Sequence, residues 1–436
     1  MRNISKNKLL GKIAGVFGLR LSYSALTFVT SVVLARVLGA SGFGTYTYVV
    51  VWAYFLSLPA TMGLDNFIVR EVAIYQGQGS WSLMRGLLAW ANRTVLFTSV
   101  GLSLIAILIA WILNQGFASE AFIVFCVAMS LMPAISLRNI RRAAMKGLHQ
   151  VSKGLLPELL IDPLILLILT GVAYVLLRQN ITVLWVVSFY GVGSCVTLVI
   201  VNKFLQQSMP REALIAPPTY QGKLWFWSTL PFLLVESLPI LNSRIDVLML
   251  GGINGFDSVG LYVPISRSAQ LIVFILIAVG NTLAPTIASA YADNKLFDLQ
   301  KTITKSVRLI IGIAFVFSIA LSVGSYWYLA LFGAEYLQGK NALYLFCIGS
   351  FLSTSMGLSF VILNMTGHER LTAIVGWLSV GLNIIFNAIC IPKWGIEGAA
   401  FATSLSNCLR TLVGVIVVRK KLGIDATGFG LMPKVP

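Results

Sequence analysis

The chain has 436 residues, 57% of them hydrophobic and only 11% charged, with a net charge of +17. Soluble domains carry about a quarter charged residues, so this composition excludes an ordinary water-soluble globule. Apolar stretches of about 20 residues recur from end to end, the pattern of a helical protein that crosses a membrane many times. The alternation over about 10 residues that marks a transmembrane barrel is absent.

In chain order, the first predicted helix covers 12–38. It follows a basic start (Arg2, Lys6, Lys8, Lys12) and is too long for a signal peptide. A glycine-rich stretch, "LGASGFG" (38–44), reads as a turn into the second helix, 45–70. Helices over 84–113, 119–145, 154–177 and 181–204 complete the first half. A polar, proline-bearing segment, "FLQQSMPREALIAPPTYQGK" (204–223), reads as a linker. The second half predicts helices over 224–250, 259–291, 304–331, 340–365, 370–391 and 396–418, with glycines again between its first two. The expected fold is all-α: twelve transmembrane helices in two six-helix lobes, 1–205 and 223–436, joined by 206–222.

With the start in the cytoplasm, the cytoplasmic segments hold 23 Lys and Arg, among them "RNIRRAAMK" (138–146), and the outer loops hold three, Arg178, Lys340 and Lys393. Positive charge is retained on the cytoplasmic side, so both termini are expected inside. The basicity is then a topology signal, and nucleic acid is not needed to explain it. The five cysteines (Cys126, Cys195, Cys347, Cys390, Cys408) lie far apart in apolar segments and read as packing residues, with no disulfide framework, metal site or cofactor implied.

Two correspondences point to internal duplication. "GTY" (44–46) aligns with "GLY" (260–262) at an offset of 216, and "KGLHQ" (146–150) with "TGHER" (366–370) at about 219. Six helices is an even number, so both copies enter from the same side. They are parallel repeats about an axis along the membrane normal, a transporter plan with the substrate path between lobes.

Charges within the apolar helices need an explanation, since each costs a few kcal/mol at the bilayer centre. The bases are Arg20, Arg36, Arg93, Arg244, Arg267 and Arg410. Arg36 and Arg244 lie near enough to the outer interface to snorkel. For Arg20, Arg93, Arg267 and Arg410 the readings are a hydrated cavity that takes an anionic substrate, or ion pairs between helices. The acids are Asp65, Glu158, Asp162, Glu236 and Asp246. In "PELLIDP" (157–163), Glu158 and Asp162 stand four apart on one face between prolines. They read as a site for a coupling cation, proton or sodium, or else as an interfacial acid and a partner for an arginine. Glu236, between Pro231 and Pro239, and Asp65 invite the same pair of readings.

Several segments resemble the Wzx-type polysaccharide flippases, in the superfamily that also holds the multidrug and toxin extrusion transporters and the lipid II flippases. They are "LARVLGASGFGTY" (34–46), "GLDNFIVREVA" (63–73), "RIDVLMLGGINGFDSVGLY" (244–262), "SRSAQL" (266–271), "GLHQVSKG" (147–154) and "WGIEGAAFAT" (394–403). The resemblance implies translocation of an undecaprenyl-pyrophosphate-linked oligosaccharide across a bacterial inner membrane by alternating access, feeding glycan polymerase or ligase machinery. It implies a cationic cavity, with Arg20 and Arg267 the first candidates and Arg93 and Arg410 after them. Asp65 and Asp246 fall in the family-like segments. The rivals are a cation-coupled multidrug antiporter of the same fold and a membrane glycan polymerase or ligase. The chain contains no GxxxxGK[ST] loop, so ATP is not the expected energy source.

Overall fold

A computed structural model describes residues 6–113, 119–176 and 181–430. Arg2 and the outer-loop Arg178 lie outside them. Among the described residues, sixteen α-helices follow in order: α1 (Lys6–Thr61), α2 (Leu64–Gln78), α3 (Trp81–Leu113), α4 (Glu120–Ser130), α5 (Met132–Gly147), α6 (Val151–Leu156), α7 (Asp162–Leu176), α8 (Val183–Ser208), α9 (Arg211–Ile215), α10 (Gly222–Asn254), α11 (Phe256–Ala292), α12 (Leu296–Val323), α13 (Ser325–Ala330), α14 (Lys340–Ser355), α15 (Ser359–Met365) and α16 (Glu369–Leu422). A π-helical turn, Pro157–Ile161, joins α6 to α7, and a 3-10 turn, Ala334–Gly339, precedes α14. Among the described residues, ten helical stretches are long and apolar enough to cross a membrane.

Two of these stretches are too long for one crossing. At about 1.5 Å per residue, the 54 residues of α16 would run ~80 Å, against a hydrocarbon layer of ~30 Å. Each long helix carries one glycine with non-helical backbone, Gly39 in α1 (φ 68°, ψ 179°) and Gly395 in α16 (φ 53°, ψ −124°). The expected glycine turn at 38–44 is therefore a single-residue pivot, because helix resumes at Ala40 and takes in Gly42 and Gly44. The second glycine turn contracts in the same way to Gly255 (φ 83°, ψ 176°) between α10 and α11. The predicted helix over 45–70 is broken at Met62 (φ 52°) and Gly63 (φ 75°), three residues after Pro59, whose missing N–H weakens the last turn of α1. Left-handed backbone recurs in both halves of the chain: Gly39 and Gly255 are 216 residues apart, Gly79 and Asn294 215, His149 and Gly367 218.

The chain divides into two compact units, Met1–Ile240 and Leu241–Pro436, with the division inside α10 just past Pro239. In the first unit, Leu64, Phe67, Ile68 and Val72 of α2 pack with Met84, Leu87 and Ala91 of α3, Ile140 and Ala144 of α5, and Trp225 of α10. Trp225 is 1% exposed, and its indole N–H donates to the Tyr75 hydroxyl at 3.3 Å. The segment expected to link the lobes is held down on α3. The N–H of Thr219 donates to the Ser82 carbonyl at 3.0 Å, Arg85 donates to the Ala216 carbonyl at 2.7 Å, and Ala213 is fully buried. Gly86 permits this approach, since a Cβ there would lie 1.9 Å from the Thr219 oxygen. Gly86→Ala should therefore lose about 2 kcal/mol in unfolding experiments in detergent. At Gly101, where a Cβ would meet nothing within 4 Å, alanine should gain up to about 1 kcal/mol.

The second unit centres on Ile287, Leu299, Ile303, Val307, Ile362, Leu363 and Val418. Beyond α16 the chain folds back so that Ile424 and Ala426 are buried. Gln300 exchanges two hydrogen bonds with the Asp425 backbone (2.9 and 2.8 Å), and Arg308 donates to the Gly428 carbonyl at 2.9 Å. On α3 the buried positions Met84, Leu87, Ala91, Val95 and Ser99 form one stripe, while Phe97 (75% exposed), Leu104, Leu108 and Ile112 face outward. A helix apolar on all faces is stable only with hydrocarbon as its outer solvent.

Candidate functional site

The charges inside the first unit fall into neutralised and open sets. Arg138 is fully buried on α5 and forms an ion pair with Asp162 at the start of α7. Thr197 donates to the other Asp162 oxygen at 2.7 Å, and Arg138 reaches the Tyr54 hydroxyl at 3.4 Å. One turn further along α5, Arg142 pairs with Glu158 and lies 3.9 Å from Asp65. The π-helical turn between Pro157 and Pro163 holds Glu158 and Asp162 opposite Arg142 and Arg138, making two rungs between antiparallel helices. Asp162 thus neutralises an arginine, as one of its readings had it, while Glu158, read as a coupling acid or an interfacial one, is paired with Arg142. Arg138, counted in the sequence among the cytoplasmic bases, is instead an interior charge.

Asp65 and Glu236 meet at the start of α2. The Glu236 carboxylate accepts from the Asn66 N–H at 2.7 Å, capping a helix N-terminus where negative charge is favoured. Gly63 allows α10 this close, since a Cβ there would lie 2.4 Å from the Leu233 nitrogen. Arg70 then lies between the Phe67 and Phe232 rings, 5.3 and 5.2 Å from their centroids. One Asp65 oxygen is buried without a hydrogen-bond partner.

The sequence-expected bases are differently placed. Arg20 and Arg93 are exposed on α1 and α3. The charge of Arg20 acts on Lys146 of α5, which also senses Arg142, Asp65 and Glu158. Arg36 lines a cavity of about 250 Å³ with Val33, Val37, Gly171 and Tyr174. In the second unit Arg267 is half-buried and its charge acts on Tyr328, whose hydroxyl donates to the Pro264 carbonyl at 2.7 Å. Arg410 is half-buried with its guanidinium 5.1 Å from the Phe360 ring centroid. Among the described residues Arg20, Arg93 and Arg410 form no ion pair.

A buried polar chain also runs through the second unit. The Tyr262 hydroxyl donates to Asp246, Thr403 lies against that hydroxyl, and Asn383 donates to Thr403 at 3.4 Å. Asn387 donates to Asn383 at 2.9 Å and keeps its own buried oxygen unpartnered. Asp246 is 5% exposed and has no Lys or Arg in ion-pair contact among the described residues. Sequence reasoning did not find Asn383, Asn387 and Thr403. The available signal was two amides four residues apart in an apolar run, "NIIFN" (383–387), which places both on one face.

Residues 13–291, well over half the chain, match the family described as polysaccharide biosynthesis protein. The chain belongs to that family. Residues 266–432 match the lipid II flippase MurJ family. Among curated relatives, the chain is 24% identical to a probable low-salt glycan biosynthesis flippase, Agl15, of Haloferax volcanii, over 92% of this chain and 80% of that one. Among solved structures, it is similar in fold to an inward-facing multidrug resistance MATE family transporter of the MOP superfamily, with TM-score 0.73 and 15% identity over 93% and 97% of the two chains. It is also similar in fold to the inward closed conformation of lipid II flippase MurJ, with TM-score 0.64 and 14% identity over 91% and 87%. The family resemblance expected from the glycine-bearing segments is thus borne out. The chain is a multi-pass membrane protein of the polysaccharide biosynthesis protein family.

Proposed function

We propose that the chain is a flippase. It carries an undecaprenyl-diphosphate-linked oligosaccharide from the cytoplasmic to the periplasmic leaflet of a bacterial inner membrane, by alternating access and without enzymatic chemistry, for O-antigen, capsule or exopolysaccharide synthesis. One observation supports this reading above the others: Arg138 and Arg142 are neutralised by acids, whereas Arg20, Arg93 and Arg410 have no ion pair among the described residues. A cation left uncompensated at membrane depth is stable when a hydrated path or an anionic ligand supplies the balance. With Arg267, these residues are the substrate-binding set of the proposal.

The proposed architecture is twelve crossings in two six-helix lobes, 1–205 and 223–436, joined by 206–222 and related as parallel repeats, with both termini in the cytoplasm. The recurrence of left-handed backbone at separations of 215–218 residues supports it. So do the pivots at Gly39 and Gly395, which divide the two longest helices. The coupling cation, proton or sodium, is assigned to acids not engaged by an arginine at hydrogen-bond distance. These are Asp65 and Glu236 in the first unit, and Asp246 with its oxygen-bearing neighbours in the second. Glu158 and Asp162, also read as coupling acids, are paired with Arg142 and Arg138, so they rank after the acids that no arginine engages at that distance.

A diphosphate diester carries about −2, and a potential of 100 mV is worth about 2.3 kcal/mol per charge. With the interior negative, outward passage gains roughly 4.6 kcal/mol. Collapsing the potential across reconstituted vesicles should therefore slow net outward transfer, and an unchanged rate would remove this energy source. In cells, deletion of the gene should deplete surface polysaccharide without drug sensitivity. The multidrug reading expects the reverse. Each of Arg20→Ala and Arg267→Ala should lower the complemented glycan by about tenfold or more, the value of one charge-assisted phosphate contact.

A further inference from the structure

The part of α1 that follows the Gly39 pivot, residues 40–61, carries an aromatic ladder. Tyr48, Trp52 and Phe55 stand at i, i+4 and i+7, so they share one helix face. The Trp52 ring meets both neighbours edge to face, with centroids 6.3 Å from Tyr48 and 5.7 Å from Phe55 at 79° and 88°. Away from this face Val49, Val51, Ala53 and Leu58 are buried. The ladder itself is left open: its three rings are half-buried, and Ser41 and Pro59, on the same face, are exposed.

Packing does not demand these rings. At the offset of 216 that aligns the two glycine stretches, the corresponding positions are Pro264, Ser268 and Leu271. Membrane anchoring does not explain them either. Tryptophans that anchor a helix sit at the two interfaces, whereas Trp52 is about 18 Å along the helix from Ala40 and about 13 Å from Thr61. Hydrocarbon at that depth offers an indole N–H no acceptor, and among the described residues the Trp52 indole makes no hydrogen bond. Water would satisfy the N–H but leave the ring faces wet. The group that suits this face presents C–H bonds to the rings and oxygen atoms to the donor.

A sugar ring is such a group. Its C–H bonds carry slight positive charge and stack on the negative face of an aromatic ring, while its hydroxyl oxygens accept from an N–H. We propose that Tyr48, Trp52 and Phe55 form a glycan-stacking subsite, with Trp52 as platform and donor and the other two as flanking rings. The assignment rests on the flippase reading and extends it from the charged end of the substrate to its sugars. It makes the ladder a determinant of which glycan is carried.

The test uses the purified full-length chain in neutral detergent. The probe is the repeat-unit oligosaccharide hydrolysed from the host's surface polysaccharide, which carries neither lipid nor phosphate. Saturation-transfer NMR should show transfer from aromatic protons to the C–H protons of the sugar. Trp52→Ala should weaken binding by about tenfold, and Trp52→Phe and Phe55→Leu by a few-fold. Trp52→Phe keeps a ring in place and tests the donor even where Trp52→Ala fails to fold. Trp185→Phe, at an exposed tryptophan of α8, should leave binding unchanged. A second arm places wild type and Trp52→Phe in bilayer discs of phosphatidylcholine brominated at mid-chain. Their difference in fluorescence, the emission of Trp52, should resist quenching. Three outcomes would overturn the subsite: no binding of the oligosaccharide to wild type, wild-type affinity in every ladder variant that folds, or full quenching of Trp52 by the brominated chains, which would put lipid on this face. If folded Trp52→Ala restores surface glycan fully to a deletion strain that has lost it, the subsite fails and the flippase reading stands. If the oligosaccharide binds as expected and the deletion strain keeps its glycan, the sugar contact stands and the flippase reading fails.

Discussion

Arg138→Ala is expected to destabilise the folded chain by about 3–5 kcal/mol, the cost of removing one partner of a buried ion pair. Arg138 has no exposed surface, and Asp162 is 8% exposed. The substitution would leave a carboxylate among α5, α7 and α8 with only the Thr197 hydroxyl as donor at 2.7 Å. The cost arises from the stranded charge more than from the lost attraction. Arg138→Met combined with Asp162→Leu should therefore recover most of the stability, since well-packed apolar side chains often replace buried pairs without loss. Unfolding in detergent, by heat and by denaturant, measures both variants. Arg142→Ala should cost less, because its side chain retains 19% exposure and water can reach the acids it leaves. Equal losses for Arg138→Ala and the double variant would contradict this account.

Gly63→Ala should cost about 2–4 kcal/mol, from the left-handed backbone that alanine adopts only with strain and from overlap with a neighbouring helix. The backbone is at φ 75°, and the new methyl would lie 2.4 Å from the Leu233 nitrogen and 2.7 Å from the Thr229 carbonyl oxygen. These are main-chain atoms of α10 and cannot rotate away. As α10 retreats, Glu236 would lose the Asn66 N–H and Phe232 would leave Arg70, so a methyl at one position removes a cap and an aromatic sandwich together. Glu236→Gln keeps an acceptor at the same place and should cost far less. Thermal unfolding of the two variants, with quenching of Trp225 fluorescence as a local reporter, distinguishes them.

Much of the helical framework was legible because a bilayer imposes one rule, about twenty apolar residues per crossing, and the sequence obeys it almost throughout. The glycine stretches were legible as reversals, but their extent was not. Only Gly39 and Gly255 adopt non-helical angles there, because close helix packing also selects glycine. Gly42, whose Cβ would sit 3.3 Å from the Val183 Cγ2 of α8, is such a case. The break at Met62–Gly63 escaped notice because the apolar pattern continues across it.

Charge was harder to read. The run "RNIRRAAMK" counts as three arginines on the cytoplasmic side, yet its members do three different things. Arg138 neutralises Asp162, Arg141 donates to Asn202 at 3.0 Å, and Arg142 joins Glu158. A helix places its i and i+4 positions on one face and i+3 beside them, and only the neighbouring helices decide which face is interior. The segment 204–223 read as a linker from its prolines and polarity. Its docking on α3 depends on Gly86, more than a hundred residues earlier, which no local pattern announces.

The most direct measurement uses proteoliposomes holding the purified chain and a polyprenyl-diphosphate oligosaccharide with a fluorophore on its glycan. A membrane-impermeant quencher then reports how fast inner-leaflet label reaches the outer surface. The account predicts exchange at least about tenfold faster than in protein-free vesicles, equivalent to 1.4 kcal/mol or more off the barrier, with most of that gain lost in Arg410→Gln and Arg20→Ala. Quenching that stalls at the outer-leaflet fraction, with the chain present as without it, would contradict it.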